Sequence, residues 1–456
     1  MKNSPFSNSG IDEPITPIDG RYRDKVKELA PFFSEFGLQK YRVLVELEYL
    51  KKLSSKGIIP KLSKSDINLI DTIVNQFDSE EFKEIKKIES KINHDVKAVE
   101  YYLRQKFQGK LKKYIPYLHI GLTSEDTTNL ANSLLLNDTK SAILIPLLKE
   151  VLGELKKLAE STKHVPILAR THGQPAIATT FGKEIANYYS RINHQLSKLE
   201  QFELEGKCTG AVGSFNALQF VYPQVNWISF SSEFVISLGL KPSLANTQIL
   251  PYDNQIEFFQ ILSLINGILV DCSVNFWLYI MLEILVQKKV SGEVGSSTMP
   301  QKVNPITFEN AEGVLQMANA QFDFYSRKLI SSRLQRDLSD STVRRTFGIA
   351  FAYTVLGWKS VMSGLKKVSI NEVGVKKELN THWEILSEAV QTYLRSVGDD
   401  EAYEKLKELT RGKQMTKETY LEILRELRLN KEKKFTDLTP EKYIGLAEKL
   451  TEKLID

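Results

Sequence analysis

Proline is absent from two long stretches of this 456-residue chain, between Pro175 and Pro223 and between Pro251 and Pro300. A prolyl ring removes an amide donor and collides with the preceding helical turn, so these stretches have room for helices of many turns. From Phe181 the apolar residues Ile185, Tyr188, Ile192, Leu196, Leu199 and Phe202 recur every three or four positions, with Lys, Asn, Arg and Glu between them. That spacing predicts one long amphipathic helix. Period-two alternation is scarce, and Asn-Gly or Asp-Gly signals between β-branched runs are missing, so little strand is expected. Long helices with one apolar face bury it against each other, and the expected fold is all-α around a long-helix bundle.

The second stretch invites a membrane test, because Ile261 to Val286 is almost wholly apolar. Asp271 and Glu283 interrupt it, and the uncharged run from Phe258 ends at Val270, short of the ~20 residues a span needs. A helix buried in a bundle is expected instead, and no membrane partner. Lys and Arg number 61 against 56 Asp and Glu, a net charge of +5, which is far from the footprint of a dedicated nucleic-acid binder. The two cysteines, Cys208 and Cys272, exclude a disulfide scaffold and suit a reducing compartment. With no apolar leader in MKNSPFSNSGIDEPITP, the cytoplasm is the expected location.

Texture separates three regions: 1–116, an N-terminal helical region with turns such as Ser54-Ser55-Lys56-Gly57; 117–365, with the long apolar helices; and 366–456, rich in Lys, Glu and Leu. These are read as three helical domains. The most unusual segment is SGEVGSSTMPQKVNPITFENAE, Ser291 to Glu312. Its glycines, paired serines and lack of apolar periodicity predict a loop, and Asn304-Pro305 supplies an N-cap and first-turn proline for a helix carrying Glu309 and Glu312. Hydroxyls, Lys302 and exposed amides in one loop suit a carboxylate or a developing oxyanion. Composition alone favours a solvated connector.

Order and spacing change that reading. Gly295, Ser296, Ser297, Met299, Pro300, Lys302 and Asn304 match every specified position of G-S-S-x-M-P-x-K-x-N, and the chain thereby resembles the fumarase/aspartase superfamily. Within it, the resemblance is to the adenylosuccinate lyase family in its longer bacterial form. DGRY at Asp19, NHDVKAVEY at Asn93, LTSED at Leu122, RTHGQPA at Arg170, QRDLSDSTVRR at Gln335 and KELTRGK at Lys407 carry it nearly end to end.

What the resemblance implies is a three-domain, mostly helical subunit, a homotetramer built on the central bundle, and active sites shared between subunits. The implied reaction is β-elimination of fumarate from purine nucleotide substrates, adenylosuccinate giving AMP and SAICAR giving AICAR. Such chemistry needs a base on a weakly acidic C–H, an acid on the departing nitrogen, and groups that stabilise negative charge. By resemblance Ser296 is the base, His172 the acid and Glu309 the partner of His172. A serine hydroxyl must be activated by amides and cations such as Lys302, whereas imidazole titrates near neutrality.

By the same resemblance Arg21 and Tyr22 join the nucleotide site, His94 contacts substrate together with Asn93 and Asp95, and Thr123 and Ser124 bind it. Thr171, Gln248, Lys302 and Asn304 surround the succinyl portion, and Arg336, Ser341 and Arg345 hold the phosphate. Local readings stand beside these. His172 on its own reads as a turn histidine, Asn93-His94-Asp95 as a helix start capped by Asn93, Thr123 with Asp126 as a capping box, and the arginines as a solvated face. His119, His164, His194 and His382 have no comparable context.

No cysteine pair, HExxH, GxGxxG or Walker sequence occurs, so no metal and no cofactor are expected. Competing readings are another lyase of the superfamily, such as argininosuccinate lyase, and a non-catalytic helical assembly protein of the crystallin kind.

Overall fold

Both proline-free stretches form long helices, Phe181–Gln201 and the 29-residue Asp253–Met281. The computed structural model describes residues 14–288, 298–299, 301–412 and 414–456. On the first helix the apolar stripe is the buried face: Ile185, Ile192 and Leu199 are fully enclosed, and Tyr188 and Leu196 nearly so. Glu35–Ser55, Ile306–Leu329 and Phe347–Lys366 are the other helices of twenty residues or more. The architecture is all-α, and among the described residues the strands are confined to three two-stranded sheets.

Packing divides the chain into two compact units, each drawn from three stretches. One comprises Met1–Leu147, Leu196–Asn266 and Val314–Leu356, the other Leu148–Gln195, Gly267–Gly313 and Gly357–Asp456. Phe181–Gln201, Asp253–Met281, Ile306–Leu329 and Phe347–Lys366 each contribute residues to both.

The first unit is centred on aromatic rings. Phe259 stacks on Phe322 with ring centres 5.5 Å apart and meets Phe347 edge-on at 5.0 Å. Fully buried Asn266 donates to Asn319 Oδ1 and Thr354 Oγ1, both at 3.1 Å. A buried amide is tolerated only where it finds partners, so these bonds set the register of three helices. By length and composition, Asp253–Met281 is the one helix among the described residues that is long and apolar enough to cross a membrane. It buries Asn266 and Gln255 along with Phe258, Phe259, Leu262, Ile265 and Leu269, the pattern of a core helix. Leu264, Trp277, Leu278 and Met281 on the same helix are exposed in the single chain.

In the second unit, Pro166–Thr171 pairs antiparallel with Gln174–Thr180. This hairpin departs from the sequence expectation. Its two-residue turn is His172-Gly173, with φ of 54° and 74°, the left-handed pair that a type I′ turn requires. His is among the few non-glycine types that enter this region, so His-Gly does the work of Asn-Gly. Leu168 and Ala178 seat the hairpin on a C-terminal core with Leu379, Trp383 and Leu386, and Arg170 forms an ion pair with Glu378. The helix after the serine loop also starts slightly later than expected. It begins at Ile306, with the Pro305 carbonyl accepting N–H groups of Phe308 and Glu309, so Asn304 lies just before the cap position.

Candidate functional site

In the first unit, three helix starts and one helix end meet around a cavity of about 460 Å³. The Ser79–Ile92 helix ends at Asn93, whose φ of 53° is left-handed, a conformation asparagine tolerates. His94 then returns to extended backbone and itself caps Asp95–Lys106, its Nδ1 accepting the Lys97 amide at 3.2 Å. The cap is therefore His94, not Asn93 as the sequence suggested. An accepting Nδ1 carries no proton, which leaves the ring proton on Nε2. Opposite, Thr123 and Asp126 form the expected capping box at the start of Ser124–Thr139. The Ser339–Arg344 helix brings Ser341, with Arg336 and Arg345 flanking it.

Asn93, His94, Asp95, Thr123, Ser124, Gln248, Arg336, Ser341 and Arg345 all line this one cavity. Arg21 and Tyr22 are not among its lining residues; they sit on the turn that leads into Arg23–Val26, with Arg21 exposed. Gln248 donates to the Ala211 carbonyl at 3.0 Å.

Four further residues, Arg42, Glu125, Asp340 and Arg344, organise the charges, and motif matching had not singled them out. Arg42, only 5% exposed, reaches Asp95 at 2.9 Å and Thr128 Oγ1 at 3.3 Å. Arg344 grips Glu125 with two bonds of 2.9 and 3.3 Å, and Arg336 reaches the same carboxylate at 3.0 Å. Asp340 stands 3.4 Å from both arginines and accepts the Tyr252 hydroxyl at 2.5 Å. Forked guanidinium–carboxylate pairing of this kind holds the side chains in one arrangement. Arg345, half exposed and 3.5 Å from Asp95, is the least committed cation. The sequence did carry one signal, an arginine directly before the apolar run Val43-Leu44-Val45 of Glu35–Ser55.

The charges shift each other. Burial works to raise the Asp95 carboxyl, but the Arg42 guanidinium outweighs it and holds the group below its ordinary value. Burial presses Arg42 down, against the pull of Asp95. Beneath the cavity Lys207 and Asp126 form a pair at 2.9 Å with both side chains 0% exposed. Asp126 also accepts the amides of Thr209 at 3.0 Å and Gly210 at 3.1 Å, so its charge is met from several sides. Another pair missed in the sequence joins His119 Nδ1 to buried Glu46 at 2.7 Å, with Thr127 donating to the same oxygen.

The remaining candidates belong to the second unit. His172 stands exposed at the hairpin tip beside exposed Thr171, and among the described residues it has no hydrogen bond or ion pair. Glu309, on the first turn of Ile306–Leu329, accepts the Trp277 indole N–H at 3.1 Å. Within one chain it is thus paired with Trp277, not with His172. Lys302 is exposed and Asn304 half-buried. Ser296 lies outside the described residues.

Residues 20–319 match a family model described as Lyase, and residues 332–444 match one described as Adenylosuccinate lyase C-terminal. The adenylosuccinate lyase of Haemophilus influenzae is 44% identical over 447 residues, covering 96% of this chain and 98% of that protein. That of Escherichia coli K12 is 42% identical over the same length, with the same coverage. Among solved structures, a fumarate lyase from Mesorhizobium sp. BNC1 superposes with a TM-score of 0.76 at 20% identity, covering 95% of this chain and 97% of its own. The 3-carboxy-cis,cis-muconate lactonizing enzyme of Pseudomonas putida gives 0.77 at 18%, covering 94% and 96%. At such identities these two speak for the fold alone.

Proposed function

The chain belongs to the adenylosuccinate lyase family, and we propose that it releases fumarate from adenylosuccinate, giving AMP, and from SAICAR, giving AICAR. The observation that carries this reading is similarity to adenylosuccinate lyases that runs through nearly the whole chain, the C-terminal part included. The charge layout of the first unit supports it, since four guanidinium groups face one cavity large enough for a nucleotide.

The reaction is an elimination across a C–C bond. A base removes the proton beside a carboxylate, the electron pair forms the double bond of fumarate, and the C–N bond breaks as an acid protonates the departing nitrogen. In this proposal Ser296 is the base and His172 the acid, with Glu309 as the group that would pair with His172 in the assembled protein. Lys302, Asn304, Thr171 and Gln248 hold the succinyl carboxylates, where their positive and N–H groups meet the charge that builds on proton removal. Arg336, Ser341 and Arg345 hold the phosphate, Arg21 and Tyr22 join the nucleotide site, and Asn93, His94, Asp95, Thr123 and Ser124 contact the substrate.

We place these groups in a homotetramer whose sites draw on several subunits. An exposed His172 with no partner among the described residues and the exposed Leu264, Trp277, Leu278 and Met281 on one long helix support association, because apolar patches of that kind mark interfaces. Buried, free Cys208 and Cys272 suit the cytoplasm.

Purified protein incubated with adenylosuccinate should release fumarate and AMP, followed by absorbance. Fumarate release from argininosuccinate but not from adenylosuccinate would overturn the reading.

A further inference from the structure

The hairpin that carries His172 is anchored at its root and open at its tip. Ile167, Leu168, Ala178 and Thr180 are buried, whereas every residue from Thr171 to Pro175 is exposed. Arg170 pairs with Pro175 and Thr171 with Gln174, and the register shifts between Leu168 and Arg170. A proline has no amide to give the ladder, and a register shift interrupts it. Backbone pairing is therefore weakest just below the turn. His172 and Gly173 make the tight turn itself, so the imidazole goes wherever the two strand ends carry it.

A side-chain contact spans this weak level. Arg170, two positions before His172, forms its ion pair with Glu378 in the last turn of Glu372–Leu379. Among the described residues Glu378 is the one carboxylate that meets this guanidinium. The two side chains are 23% and 25% exposed, so the pair is shielded from the full screening that weakens a surface pair. Its far end is fixed, because Leu379, adjacent to Glu378, is fully buried in the core that also holds Leu168 and Ala178. The helix dipole disfavours a carboxylate in a last turn, so the stability of that helix does not account for Glu378 at this place.

We propose that the Arg170–Glu378 pair is a strut that sets where the His172 imidazole stands, which makes Arg170 and Glu378 positioning residues for protonation of the departing nitrogen. A general acid acts only within hydrogen-bond reach of its target, and a misplacement of about 1 Å can cost about 10²-fold in rate. Without the strut, the exposed tip of Thr171, His172, Gly173 and Gln174 opens more often, and the imidazole spends less time in place. The catalytic half of the proposal rests on reading His172 as the acid. The mechanical half, that the pair steadies the tip, does not.

The test joins amide hydrogen exchange to steady-state kinetics on the full chain. Glu378→Ala should speed exchange of the amides of residues 171–174 about tenfold, while those of Leu394 and Leu424 in the C-terminal core keep their protection. With adenylosuccinate it should lower kcat about tenfold and leave KM within about twofold. On a His172→Asn background the same change should cost less than about twofold more in kcat, because a residue that acts through His172 then has nothing left to place. If Glu378→Ala fails to fold, Glu378→Gln, which keeps the shape but not the charge, should give the same pattern with effects of about threefold. Unchanged exchange at the tip, a loss confined to KM, or an undiminished further loss on the His172→Asn background would overturn the proposal. Faster exchange at the tip in a protein whose parent releases no fumarate would support the strut and overturn the functional reading instead.

Discussion

Arg344 is 8% exposed and held by both oxygens of Glu125, whereas His172 stands in solvent at a hairpin tip with no partner among the described residues. In the arginine cavity Arg42, Arg336 and Arg344 each pair with a carboxylate of the same chain, because an unanswered charge away from water is costly. His172 and Lys302 are instead exposed to water, which satisfies polar side chains that no neighbour among the described residues meets. On the proposed reading, the paired arginines would serve recognition and the exposed groups proton transfer.

This contrast can be broken most severely beneath the cavity. Lys207→Met leaves Asp126 without its cation at full burial, and should cost about 3–5 kcal/mol in a denaturant titration. A loss below about 1 kcal/mol, the size expected of an exposed pair, would show that the cavity does not depend on internal pairing. His172→Asn, which tolerates the positive φ of the turn, should leave the melting temperature nearly unmoved, yet lower kcat ~100-fold or more. Near-normal turnover would remove His172 as the acid. Mixing that variant with Ser296→Ala should restore part of the activity through hybrid assemblies. No recovery despite demonstrated subunit exchange would argue against shared sites.

Smaller effects sharpen the picture within the cavity. Arg345→Ala should raise the KM for phosphorylated substrate about tenfold with little change in stability, since this guanidinium is half exposed. Arg336→Ala should weaken binding and also lower stability, because Glu125 and Asp340 lose a partner. Identical profiles for the two variants would erase the distinction between a committed and an available arginine.

The smallest expected effect is a pH dependence at His119. Burial works to lower its imidazole, but Glu46 outweighs burial and leaves the group above its ordinary 6.5. A raised folded-state value gives stability that is fully present below about pH 6.5 and is lost as pH climbs through the raised value. The margin of the parent protein over Glu46→Gln should therefore narrow between about pH 6 and pH 9 in thermal melts. A constant margin would mean that the pair stays neutral throughout.

Some features were legible before any fold was known, for reasons that are local. The Phe181–Gln201 helix follows from its own spacing, and the Thr123–Asp126 capping box from two residues three apart. Others misled for equally local reasons. His172-Gly173 makes a hairpin without the usual Asn or Asp, and His94 rather than Asn93 caps its helix because Asn93 is already spent ending the previous one. Beyond the apolar run that follows it, nothing local to the sequence marks Arg42, and only its meeting with Asp95 gives it a place in the cavity wall.

Taken alone, the amino-acid order determined the helical class and the short motifs that nominate a chemistry, since periodicity and turn preference act over a few residues. Which charges meet was decided only by tertiary structure. Arg344 and Glu125 stand 219 residues apart and Lys207 and Asp126 come from different segments. An ion pair leaves no periodic trace along the chain, because its geometry comes from how whole helices pack against one another.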